Sequence, residues 1–144
     1  MSANQSYNHF PQLISAMERN IMNALDEGAD MIADEAKLSM AEAKRGRSYK
    51  VSKTGKPHQA SAPGEAPAID TGALVNSIVV AGAMGDKYKR YVLTNQEYAQ
   101  HLEFGTPGGK IAPRPFMRPA VLKKGQAVIR KLMQAIVEAI NGAG

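Results

Sequence analysis

Residues 98–120 read YAQHLEFGTPGGKIAPRPFMRPA, a stretch crowded with aromatic, Gly and Pro residues that shape backbone and bury surface. Tyr98, Leu102 and Phe104 mark one short apolar helical turn. Gly105 supplies a position free of Cβ restriction, and Pro107 stops the helix from continuing. Pro113, Pro115 and Pro119 hold the next segment extended until Pro119, suited to a first helical position, opens a new helix. This is the pattern of a shaped contact surface rather than of a catalytic centre.

Downstream, that helix is predicted from Pro119 to about Asn141. Val121, Val128, Leu132, Ile136 and Ile140 lie on one face, and Met117 and Leu122 are spaced as a staple around the start. Upstream, Ser77–Ala83 and Tyr88–Thr94 read as two strands joined by Met84-Gly85-Asp86-Lys87, which predicts a hairpin. A short turn precedes them at Asp70–Val75. The segment from Pro11 to about Lys44 carries Ile14, Met17, Ile21, Leu25, Ile32 and Ala36 at helical spacing, with acids on the other faces. Gly28 interrupts it at a cost of about 1 kcal/mol relative to Ala, which points to close packing or to a hinge. No internal repeat or heptad array is visible. The expected fold is α+β: a small antiparallel sheet packed by a long N-terminal helix and a C-terminal helix, in one domain spanning 1–144, with a disordered tail at 1–10.

Between the first helix and the turn, residues 45–69 lose apolar periodicity and read as a long flexible arm. Its residues Arg45, Arg47, Tyr49, Lys50, Lys53 and Lys56 suit either ordering against a protein partner or contact with a phosphate backbone. Across the chain the net charge of +5 hides segregation. Residues 11–43 hold seven acids, whereas residues 44–58 hold six bases and residues 106–137 seven, with no acid in either. Such asymmetry suits nucleic acid, and equally suits head-to-tail packing in which the acidic first helix of one subunit meets the basic last helix of the next. With no cysteine, neither a disulfide framework nor a thiolate metal site is expected, and a reducing cytoplasm fits. The longest uncharged apolar run, Ile78–Gly85, falls far short of the roughly 20 residues of a spanning helix, so a soluble protein without membrane contact is expected.

Ile69-Asp70-Thr71-Gly72-Ala73 matches the active-site loop of retroviral-type aspartic proteases. Those enzymes are all-β, however, and place the loop after a core strand, while Pro63, Pro67 and the polar arm precede it here. Asp70 or Thr71 is instead expected to cap the Ala73–Val75 turn. His9, His58 and His101 lack ligand partners at metal-binding spacing, and the Gly105 and Gly108-Gly109 clusters lack the Lys-Ser/Thr of a phosphate loop. No catalytic residue, cofactor or metal is expected.

Four motifs stand in order along the chain: His58-Gln59-Ala60-Ser61 with Pro63-Gly64-Glu65-Ala66-Pro67; Asp70-Thr71-Gly72-Ala73-Leu74 with Ser77-Ile78; Tyr98-Ala99 with Leu102-Glu103-Phe104-Gly105-Thr106; and Arg114-Pro115-Phe116-Met117-Arg118-Pro119-Ala120. Together, over about residues 10–140, they resemble the gene-product-ten-like tail-component family of Hong Kong-97-type tailed phages. The resemblance implies a structural virion protein of a phage or prophage neck, a tail-completion or head–tail joining component without catalysis. Implied partners are copies of itself in a ring, taken as a hexamer, the head connector or stopper, and tail terminator or tail-tube proteins. Whether the arm faces DNA in the lumen is left open. The implied location is the virion, and the host cytoplasm during assembly. The family motif falls on Tyr98, Leu102, Glu103, Phe104, Gly105, Thr106, Pro115, Phe116 and Pro119. Physically, the aromatics and Leu102 are expected to anchor the short and last helices to the sheet. Glu103 either meets a basic group such as Arg114 or stands exposed at the helix end. The alternative reading of the whole is a small basic nucleic-acid-binding protein.

Overall fold

The computed structural model describes residues 9–51 and 54–142. Helix α1 (Phe10–Ala41) is followed by strands β1 (Ser48–Lys50) and β2 (Pro57–Gln59), the short helix α2 (Ala73–Ser77), and strands β3 (Val79–Ala83) and β4 (Asp86–Leu93). Helix α3 (Ala99–Phe104), a 3-10 turn at Pro107–Gly109 and helix α4 (Met117–Gly142) complete the chain. The α+β class is as expected, with two separate antiparallel hairpins, β1–β2 and β3–β4, in place of one sheet. Of the disordered tail expected at 1–10, residues 1–8 lie outside the described residues, and Phe10 opens α1.

Helices α1 and α4 pack along each other, and their buried faces are built from small residues: Ala24, Gly28, Ala29, Ala33 and Ala36 on α1, Ala120, Ala135 and Ala139 on α4. Gly28 marks the closest approach. A Cβ there would lie 2.7 Å from Val128 Cγ1, so the close-packing reading of this glycine holds. The helices run antiparallel: Asn20 Nδ2 donates to the Ala135 carbonyl at 3.2 Å, while Lys123 Nζ donates to Glu35 at 2.5 Å. The first turns of α1 therefore project past the end of α4, and Ile14, read as a core position, is exposed.

Hairpin β3–β4 lies on the side of α1 away from α4, in the register Val79↔Leu93 and Ala81↔Tyr91. Helix α1 covers most of the hairpin, while Val80 and Val92 of the hairpin also pack against the core cluster that holds Phe116 and Ala120 at the start of α4, as the expected α+β arrangement requires. Ser77 and Thr94 hydroxyls, 2.5 Å apart, tie the open end of the hairpin to α2. The core sits where α1 ends and α4 begins, around the fully buried Phe116 and Ile78, with Met40, Leu74 and Ala99 against them.

Three further expectations change. Helix α4 starts at Met117 rather than Pro119, and Leu122, 78% exposed, forms no staple. Val121 and Ile140, placed on its buried face, are half exposed, while Val128, Leu132 and Ile136 are partly buried. The arm, read as lacking structure, carries the β1–β2 hairpin in the register Ser48↔Gln59 and Lys50↔Pro57. Short polar strands show no apolar alternation, because neither face of this hairpin meets the core.

The segregated charge is used within one chain. Glu35 is held by Lys123 and Lys124, Glu27 by Lys131, Glu18 by Lys87 and Asp26 by Arg90. Among the described residues, no helix is long and apolar enough to cross a membrane.

Candidate functional site

The third and fourth sequence motifs meet at the junction between α3 and the start of α4, and Glu103 organises it. The final turn of α3 places its carboxylate, on a residue only 8% exposed, beneath the first residues of α4. One oxygen accepts the amides of Phe116 (2.9 Å) and Met117 (3.0 Å), and the other accepts that of Arg118 (2.9 Å). A helix leaves its first four amides without internal partners. Here those are Phe116, Met117, Arg118 and Pro119, and the last has no N–H to satisfy. A carboxylate at this end also faces the positive pole of the helix. Both sequence expectations for Glu103 are therefore replaced: it neither pairs with Arg114 nor stands exposed.

Arg114 does different work. Its amide donates to the Leu102 carbonyl at 2.6 Å, and its guanidinium donates to the carbonyls of Ser61 (3.3 Å) and Ala112 (3.1 Å). It thereby joins the fourth motif to the first. Glu65 completes that joint by accepting the amides of Ala62 (2.8 Å) and Arg45 (3.1 Å) and the Arg45 guanidinium (2.8 Å). These contacts, led by the Ala62 amide, hold its carboxyl well below the ordinary value, at about 2. Lys123, then Lys124, likewise lower the Glu35 carboxyl against the opposing effect of burial. Glu65 belonged to a quoted motif without an assigned role. Its signal is local, a carboxylate three residues after the amide it caps, as in a capping box.

Gly105 follows Phe104 at φ +79°, and a Cβ there would lie 2.9 Å from the Ile111 carbonyl. The tight return needs glycine on both counts. Thr106 closes the turn: its amide donates to the Ile111 carbonyl, and its hydroxyl accepts the Ile111 amide at 2.9 Å. Pro115 and Pro119 border a groove of about 570 Å3 with Glu35, Lys44, Arg45 and Glu65.

Phe116 is 1% exposed, as an anchoring aromatic should be. Phe104 is 65% exposed, with the Arg118 guanidinium 5.1 Å above its ring, and Tyr98 is also well exposed. Their expected anchoring role is corrected, because α3 is too short to bury side chains on more than one face. Leu102 and Ala99 occupy that face. Leu74 is buried beside them, whereas Asp70 and Thr71 lie exposed on the loop before α2. The Thr71 hydroxyl accepts the Ala73 amide at 3.3 Å, and Gly72 adopts φ +81°. This loop, Met40, Tyr98 and Leu102 enclose a cleft of about 240 Å3, so the second and third motifs meet.

Of the arm residues, Arg45 joins this junction through Glu65, while Arg47, Tyr49, Lys50 and Lys56 lie on or beside the β1–β2 hairpin, and Lys53 lies outside the described residues. Arg45 reaches only Glu65, at the arm's base. Tyr49 stacks edge-on against His58 across the β1–β2 pair, with ring centroids 5.3 Å apart. Among the described residues, no group of three His, Cys, Asp or Glu could hold a metal ion. Scans against protein-family models, curated proteins and solved structures find no match.

Proposed function

We propose that the chain is a structural component of a tailed phage or prophage neck, completing tails or joining them to heads, and that it acts by assembly rather than catalysis. The observation that carries this reading is the Glu103 cap. It locks the Leu102–Thr106 turn to the Arg114–Pro119 segment, so the two most distinctive motifs form one rigid ledge with Phe104 and Tyr98 facing outward. Exposed aromatics on a rigid support are what protein interfaces use as anchors. Copies in a ring, with connector and tail-tube proteins above and below, would cover them. Deleting the gene should leave filled heads and separate tails in electron micrographs, and a normal yield of complete infectious particles would overturn the reading.

A second reading, nucleic-acid binding, is favoured by one feature: the β1–β2 hairpin presents Arg47, Lys50 and Lys56 beside exposed Tyr49, in a stretch without an acid from residue 43 to 64. Affinity for single- or double-stranded DNA that falls linearly on a log–log plot against salt supports it. Its absence at low salt excludes it.

A further inference from the structure

Helix α4 is apolar on two opposite faces. One face packs on α1 through Ala120, Ala135 and Ala139. Opposite it, Leu122, Gln126, Ile129, Met133, Ile136 and Ile140 follow each other at spacings of four, three, four, three and four residues, the alternation of a coiled-coil seam. Every one of these except Ile136 is exposed, Leu122 by 78% and Met133 by 62%. With Val137 alongside, they leave on the order of 500 Å2 of apolar side chain open, at the upper end of what monomers show.

We propose that this seam is a self-association site through which two copies of the chain pair by parallel, in-register packing of α4. The proposal is independent of the phage reading. A seam repeating every 3.5 residues fits another helix with the same repeat, and two copies together bury about 1,000 Å2, the lower bound for a specific interface. Orientation follows from the polar members. Parallel pairing sets Gln126 beside its copy, where the two amides can bond and define register, and sets Arg130 across from the partner's Gly125. Antiparallel pairing centred on the seam brings two Arg130 side chains together and buries Gln126 against apolar Ile136.

The absence of cysteine makes the test clean. In sedimentation over a micromolar concentration series, the full chain should reach the mass of two copies. Ile129→Glu with Met133→Glu should halve that mass while far-UV dichroism stays unchanged, and its melting temperature should no longer rise with concentration as the parent's does; Leu122→Lys, at the most exposed seam position, serves the same purpose if the double variant does not fold. Gln126→Cys alone should link into a covalent dimer on oxidation. A monomer throughout the series overturns the proposal, as does a dimer that survives the seam substitutions. Failure of Gln126→Cys to link, together with linkage in a mixture of Gln126→Cys and Ile136→Cys chains, overturns the parallel orientation.

Discussion

At the scale of single residues, the carboxylate of Glu103 has more consequence than any aromatic around it. Truncating it in Glu103→Ala strands three amides at a buried helix start, and leaving buried donors unsatisfied costs about 1–3 kcal/mol apiece before water relieves some of it. A loss of about 3 kcal/mol in chemical denaturation is expected. Glu103→Gln keeps one acceptor oxygen and should lose about half as much. If Glu103→Ala melts like the parent, the cap is not what holds α3 to α4. The two phenylalanines divide equally sharply. Phe116→Ala opens a cavity in the core and should cost about 3–5 kcal/mol. Phe104→Ala removes an exposed ring under Arg118, a contact worth about 0.5–1 kcal/mol, and should leave the melting temperature nearly unchanged.

At the scale of elements, the α1–α4 contact depends on having no side chain at residue 28. Gly28→Ala should gain about 1 kcal/mol of helix propensity. It also drives a Cβ to within 2.7 Å of Val128 Cγ1, and overpacking of that kind costs about 1–3 kcal/mol. Because Val128 is β-branched and cannot swing aside, the clash should win by about 1 kcal/mol. Adding Val128→Ala should return stability toward that of Val128→Ala alone, a coupling that a double-mutant cycle reads directly. Strict additivity would place the helices farther apart than the structure does. Helix α4 shows why its seam is hard to see in sequence. Apolar residues serving α1 and apolar residues of the outer face interleave along one helix, and each pattern masks the period of the other.

At the scale of the whole molecule, charge pairs tie the three layers together. Lys123 and Lys124 hold Glu35 across α1–α4, and Lys87 and Arg90 hold Glu18 and Asp26 across α1 and the hairpin. All three acids are lowered below their ordinary values, mainly by hydrogen bonds from Lys123 to Glu35, Lys87 to Glu18 and Arg90 to Asp26. A carboxylate lowered in the folded state contributes stability above its ordinary range, and that contribution is lost as pH falls through its folded value. The melting temperature should therefore hold near neutrality and drop on acidification below about 4.5. Glu65 should release last, near its value of about 2. A melting temperature flat down to pH 3 would show that these pairs do not stabilise the fold. Reversing Lys123, Lys124 and Lys131 to Glu should lower the melting temperature of the isolated chain, because the partners are its own acids.

What the sequence by itself determined is local: two long helices, a hairpin near 79–93, a short turn closed by Gly105, and the stop at Pro107. Each depends on backbone preferences and side-chain period within a few residues. Only the tertiary structure decided which carboxylate caps α4, which of two phenylalanines is buried, and that opposite charges meet inside one chain. Those outcomes depend on where α3, α4 and the hairpin come to rest around α1. A carboxylate, an aromatic ring or a lysine has the same local signature whichever neighbour that packing brings within reach.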